Sequence, residues 1–188
     1  MPPFMSPTTR LDTYNNSWYN PGGGALKRLL WYFVNLLVFN HGLFPVSGLK
    51  VALLKLFGAT VGQGVVIKPS VNIKYPWLLS IGDHVWIGEE VWIDNLAQVT
   101  IGSHACLSQG AMLLCGSHDY TDVSFGLITK PITLEAGAWI GAKALVAPGV
   151  TVKSHAVLAA MSVATKDLEP YTIYQGNPAQ AKRTRTIR

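Results

Sequence analysis

The stretch from Leu134 to Asp167 repeats every six residues, and that period constrains this chain more than any other feature. Leu134, Ile140, Val146, Val152, Leu158 and Ala164 recur at the interval, and a small or β-branched residue follows four places later at Ala138, Ala144, Val150, Ala156 and Ser162. Neither a helix nor a flat strand has this period. It marks a parallel β-helix, in which each hexapeptide forms one short face of a coil and the aliphatic residues stack into a continuous interior. The same register runs back through Val61, Ile67, Ile73, Ile81, Ile87, Ile93, Ile101, Leu107 and Leu113.

Three hexapeptides close one triangular coil, so each interruption can be placed. The steps from Ile73 to Ile81 and from Ile93 to Ile101 are eight residues long, which adds two residues to the third face of successive coils. The coil after Ile101 should begin at position 119, yet the pattern resumes at Leu134. Residues 119–133 are therefore expected to leave the helix as a loop, and loops on repeat scaffolds are where function gathers. The chain divides into an N-terminal extension with two helices (1–60), a mainly β, β-helical body with its loop (61–169) and a basic C-terminal tail (170–188).

Hydrophobic residues make up 49% of the chain and charged residues 13%, with 18 glycines. A β-helix buries aliphatics in every turn and uses glycine at its corners, so this balance does not require a membrane protein. The net charge is +5, and much of the excess lies in Lys182, Arg183, Arg185 and Arg188. No aromatics interleave with these cations, so they suit a small anion, and no nucleic-acid partner is expected. The two cysteines, Cys106 and Cys115, form no CxxC pair and read as reduced thiols of a cytoplasmic protein.

Residues 1–20 lack the layout of a signal peptide and read as an extended lead-in. From Ala25 to Phe39, apolar residues follow helical spacing on one side, and Trp31, Leu36, Val38 and Phe39 make the other side apolar too. Such a helix is buried, packed on a partner or resting on lipid. It is too short to span a bilayer, and Lys27 and Arg28 stand at its start. Packing on the β-helix or on a neighbouring subunit is expected, with peripheral contact at the inner face of a membrane as the alternative. His41–Pro45 breaks this helix; Ser47 is placed to cap a second one reaching Phe57, with Gly58 as its stop.

The run Cys115-Gly-Ser-His-Asp-Tyr120, Leu127–Ile132, the hexapeptides, Val163-Ala-Thr-Lys-Asp167 and Gly176-Asn-Pro-Ala179 together resemble the left-handed β-helix acetyltransferases. Trp18-Tyr19, the Leu30-Trp31 helix and Leu56–Ala59 extend the resemblance to the colanic acid (exopolysaccharide) O-acetyltransferase branch, related to the galactoside and maltose acetyltransferases. It implies a left-handed coil, a homotrimer, acetyl-CoA as co-substrate without a metal, and transfer of acetyl to a hydroxyl of a sugar or polysaccharide precursor. A hydroxyl is a poor nucleophile toward a thioester, so a base must take its proton, and histidine suits that task near neutral pH. His118, where the third coil gives way to the loop, matches the family's catalytic base.

By the same resemblance, Trp139, Ala142, Ala160, Thr165, Lys166 and Arg183 match positions that contact the cofactor or the reacting thioester. Ala160 leaves room and a backbone N–H for the pantetheine amides, while Lys166 and Arg183 suit phosphates. Two departures stand out. Ala142 replaces a serine near the thioester, leaving only a backbone N–H for the oxyanion. Glu90 falls where the galactoside enzyme has an acceptor-binding asparagine, with Asp94 and Asn95 nearby as further acceptor contacts.

His84, His104 and His155 invite a metal reading. Each, however, sits at a coil corner where a left-handed backbone is expected, and histidine is enriched there. The γ-class carbonic anhydrases share the fold and provide a metal-dependent alternative, yet position 123, five residues after His118, is valine. A non-catalytic scaffold is the other alternative. The cysteines are poor candidates for acyl carriers, because the acyl group already arrives as a thioester.

Overall fold

A computed structural model describes residues 7–188, so the start of the lead-in lies outside the described residues. The hexapeptides wind into a triangular parallel β-solenoid. Its first face carries five strands, Thr60–Val61, Leu79–Ile81, Val99–Ile101, Ile132–Leu134 and Thr151–Val152. The third face carries five more, Asn72–Ile73, Trp92–Asp94, Met112–Leu114, Leu145–Val146 and Val163–Ala164. Five strands of the second face, from Val66–Ile67 to Val157–Leu158, are extended by Thr172–Gln175 and Gln180–Thr184.

The coil strands are only two or three residues long, and each sends one or two side chains inward. Ile67, Ile73, Ile93, Leu113, Ile140 and Val146 are fully buried, and the registers stack them coil on coil. Burying each such side chain contributes roughly 1.5–3 kcal/mol, and that repeated term holds an interior with no long-range helix packing. The outward residues differ by face. The first face presents Thr60, Ser80, Thr100, Thr133 and Thr151. The second presents Val66, Trp86, Cys106, Trp139 and Val157, and the third Asn72, Trp92, Met112, Leu145 and Val163. One flank is thus polar and two are largely apolar.

Corners need a left-handed residue. His84, His104 and His155 supply it, with φ of 55°, 61° and 57°. The rings of His84 and His104 stack at 5.3 Å, and His155 stacks on Tyr171 at 4.8 Å. Gly137 fills the intervening corner because a Cβ there would come within 2.6 Å of the His155 ring. No three potential metal ligands gather among the described residues.

The interruptions all leave from one edge. The extra residues expected on the third face lie at the corner between the third and first faces, around Pro76–Leu78 and Asn95–Gln98. The larger insertion departs from the same corner one coil further on. It is a β-hairpin, with Gly116–His118 antiparallel to Leu127–Thr129, and the coil resumes at Ile132. The excursion therefore starts before 119 and ends before 133: strand pairing captures residues that the six-residue register had assigned to the coil.

Helix α1 (Gly24–Val34) continues through a wider π-helical turn at Asn35–Phe39, and α2 spans Ser47–Leu56. The two helices close the open end of the solenoid. An unpaired strand edge must find partners. Trp31 Nε1 donates to Ile73 O at 2.8 Å, and Asn35 Oδ1 accepts from Ile73 N at 3.2 Å. Ser47 was placed by sequence as a helix cap, but Val46 takes that position. The Ser47 hydroxyl instead accepts from Ile67 N at 3.0 Å and donates to Ile67 O at 3.2 Å, because a free β-edge outcompetes a helix end already near solvent. Lys50 is buried and donates to Lys68 O at 2.7 Å, and burial pushes its pKa down.

The residues expected to form a basic tail close the other end. Thr172–Gln175 pairs in parallel with Val157–Leu158, and Gln180–Thr184 folds back on it. Arg185 donates to Gly137 O at 2.9 Å and to His155 O at 3.1 Å, pinning the end of the chain to two corners.

Candidate active site

His118 ends the first strand of the hairpin and is half-buried. Its ring stacks on Phe125 at 4.5 Å with 10° between planes, and Tyr14 approaches it at 5.7 Å. Nδ1 lies 2.9 Å from Phe125 O. A carbonyl oxygen only accepts, so Nδ1 carries the hydrogen and the Nε2 lone pair is left to receive a proton. A fixed tautomer of this kind is what a general base requires. Asp119, by contrast, is turned to Thr121, whose N–H and hydroxyl it accepts at 2.9 and 2.6 Å. It shapes the hairpin turn, and those two bonds hold its carboxyl below the usual range.

The lead-in is part of this site, which sequence reasoning missed. Arg10 N donates to Val123 O at 2.8 Å, Tyr14 meets the His118 ring, and Tyr19 Oη donates to Leu96 O at 2.7 Å. This arm follows the edge from which the hairpin leaves. No local pattern betrays such contacts, since their partners stand 77 or more residues away.

The acceptor candidates separate. Asn95 is fully buried and spends its amide on Tyr75 N, Tyr75 O and Leu78 O, so it ties the two widened corners together and has no group left for an acceptor. This corrects its expected role. Glu90 is exposed at the corner between the second and third faces, with φ of 60°. That is the far edge of the third face from the hairpin, so within one chain it does not meet His118. Asp94 pairs with Leu114 in the ladder at the hairpin root, and its carboxylate lies 2.9 Å from Lys74 Nζ, off the line of a hydrogen bond. Asp94 also ends a groove of about 700 Å³ between α1 and the third face, lined among others by Arg28, Tyr32, Asn72, Tyr75 and Trp92. Aromatic faces beside amides and a carboxylate are the surface a pyranose ring uses.

The cofactor candidates are spread over the prism: Thr165 and Lys166 follow the last strand of the third face, at the edge the hairpin leaves from, and the others lie on the second face, its corner with the third and the C-terminal hairpin. Trp139 stands on the second face, 45% exposed, its Nε1 donating to Ser108 Oγ at 2.9 Å. Ala142 and Ala160 stack in adjacent coils at the corner between the second and third faces, and neither N–H has an acceptor among the described residues. Their closeness rests on Gly141, where a Cβ would meet Ala160 N at 2.5 Å. Thr165 and Lys166 flank a cleft of about 320 Å³ against the C-terminal hairpin, the strand that carries Arg183. His118 and the Ala142–Ala160 corner therefore occupy opposite edges of the third face. One chain does not bring them together.

Burial raises both thiols, Cys106 in direction and Cys115 to about 11, so neither is a ready thiolate.

No family model matches the chain. WcaF of Escherichia coli (strain K12), named for colanic acid biosynthesis acetyltransferase, is 39% identical over 164 residues, covering 87% of this chain and 90% of WcaF. A hexapeptide-repeat acetyltransferase of Vibrio cholerae solved with acetyl-CoA superposes with a TM-score of 0.76 at 28% identity, over 86% of this chain and 88% of that one. A galactoside acetyltransferase solved with coenzyme A gives 0.75 at 28% identity, over 85% and 80%. With the solenoid, the edge hairpin and this likeness across most of its length, the chain belongs to the hexapeptide-repeat acetyltransferases, in the branch of the colanic acid acetyltransferase WcaF.

Proposed function

We propose that the protein is an acetyl-CoA-dependent O-acetyltransferase acting on a hydroxyl of a sugar or exopolysaccharide precursor, with His118 as general base. The observation that carries this reading is the bond from Nδ1 to Phe125 O, which in the neutral ring leaves the Nε2 lone pair free to take a proton. Nε2 takes the hydroxyl proton as the oxygen attacks the thioester carbonyl. The tetrahedral oxyanion is met by the N–H of Ala142, since no serine is present to help. As the intermediate collapses, the C–S bond breaks and coenzyme A leaves as the thiol with the proton held by His118. Trp139 and Ala160 line the pantetheine path, and Thr165, Lys166 and Arg183 receive the phosphate end.

The site is shared in a homotrimer. His118 and the Ala142–Ala160 corner lie on opposite edges of one face, so packing a neighbour's corner against the hairpin completes what one chain leaves apart. Two apolar flanks and one hydroxyl-lined flank suit a cyclic assembly, in which each subunit uses two different surfaces. Glu90 then comes to the acceptor from the neighbour, opposite Asp94. The N-terminal helix makes a peripheral contact with the inner face of a membrane. No helix among the described residues is long and apolar enough to cross one.

The test is transfer of label from radioactive acetyl-CoA to a panel of nucleotide sugars and lipid-linked saccharides. The reading expects an alkali-labile ester on the sugar and no added metal. Label found only in amides, or activity abolished by a chelator, overturns it.

A further inference from the structure

The helical end of the solenoid carries a surface that acetyl transfer does not use. Trp31, Phe39 and Leu54 point inward and are buried. On the opposite side Leu26, Leu30, Phe33, Leu37, Leu43 and Leu56 are each at least half exposed. The patch is continuous, because Leu26 and Leu30 of α1 share an apolar groove with Leu56 and Phe57. An apolar area of this kind marks an interaction surface.

Its charge says with what. From Thr13 to Gly82 the chain has no acidic residue, yet it holds Lys27, Arg28, Lys50, Lys55, Lys68 and Lys74. Lys50 is buried, Lys74 faces Asp94 and Lys68 shares a flank pocket with Glu89; Lys27, Arg28 and Lys55 are carried by the two helices, with no ion pair among the described residues. Pairing this surface with a second copy of itself would set cations against cations. An anionic bilayer supplies the opposite charge and accepts the leucines at the same time. In a cyclic trimer of parallel prisms, contacts run along the flanks and the three helical ends point the same way, so one plane engages all three.

The groove between α1 and the third face opens at this end, with Leu29 and Tyr32 of α1 on one wall and Trp92 on the other. Its other end is Asp94, at the root of the hairpin that bears His118. We infer that the helical end docks on an anionic bilayer and that the acceptor is a saccharide held there by a lipid anchor, its sugar lying in this groove. The acceptor class rests on the acetyltransferase reading; the docking does not.

Flotation of the intact protein with vesicles tests the docking. The wild type should float with vesicles of phosphatidylglycerol and phosphatidylcholine, and less with phosphatidylcholine alone. A Leu30→Glu, Phe33→Glu double variant should bind about tenfold more weakly or worse, while keeping its oligomeric state by light scattering and its acetyl-CoA affinity by calorimetry. Failure of the wild type to float, or dissociation of the oligomer in the variant, overturns the docking; the latter would make the face a subunit contact. For the acceptor, label from acetyl-CoA is followed into lipid-linked saccharides reconstituted in such vesicles and into the same saccharides released from their lipid by mild acid. Faster labelling of the anchored form, lost in the double variant, supports the class. Equal labelling of both forms overturns it. No labelling of either, with flotation intact, contradicts the acetyl-transfer reading and leaves the docking standing.

Discussion

The His118 ring owes its orientation to a neighbour that cannot be read from its own segment, the carbonyl of Phe125 seven residues on. Removing the ring by His118→Ala should lower turnover by a factor on the order of 10² to 10⁴ and leave acetyl-CoA affinity nearly unchanged. Steady-state rates with calorimetry separate the two, and an active variant would take His118 out of the mechanism. Cys115 gives a prediction in pH. Its folded pKa lies near 11 against an ordinary value of 9.0, so the folded state keeps a proton that the unfolded chain loses between them. The stability it contributes is fully present below about pH 9 and is lost as pH rises toward about 11, a fall on the order of 1 to 3 kcal/mol. Denaturation of wild type and Cys115→Ala across that window should show a shallower decline in the variant. At this scale the sequence identifies residue types well and orientations poorly. The left-handed corner histidines were legible because the period places them. Asn95 was misread because its two bonds to Tyr75 cross from one coil to the next.

At the scale of elements, the period made the three faces and their registers legible, and failed where strands pair off-period. The hairpin is the case in point. Gly116–His118 abandon the coil because antiparallel pairing with Leu127–Thr129 satisfies their backbone, a choice that no six-residue count contains. The helical end was legible as a helix packed on the β-helix, yet the bonds by which it seals the first coil were not, since Trp31 and Asn35 act on Ile73 some forty residues on. Trp31→Phe removes the donor to Ile73 O and part of a buried ring, so it should cost at least about 1–3 kcal/mol, measured by urea denaturation. A cost near zero would mean that water reaches that carbonyl. At the other end, Lys166→Ala and Arg183→Ala should each weaken acetyl-CoA more than its dephospho analogue. On the proposed reading each removes a charge-assisted phosphate contact of about 1.5–3 kcal/mol. Equal weakening of both ligands would move these side chains away from that phosphate.

For the whole molecule, the arrangement of faces is what the proposed shared site rests on. The first face shows threonine and serine outward, the other two show tryptophan, valine, methionine and leucine, and His118 and the stacked N–H groups of Ala142 and Ala160 stand on opposite edges of the third. The interior was legible coil by coil, whereas these outward columns emerge only once the registers are known. The helical end adds a direction, with its basic and apolar surface at one end of the axis and the C-terminal hairpin at the other. The central claim is that His118 and the Ala142–Ala160 corner meet across a subunit boundary, and subunit mixing tests it most directly. His118→Ala and an Ala160→Trp variant, whose indole blocks the corner, are denatured and refolded together and assayed for acetyl transfer. Mixed trimers should regain part of the wild-type activity, because some interfaces carry an intact His118 opposite an open corner. Mixed trimers that form and stay inactive, or a protein that is monomeric by light scattering, would contradict it.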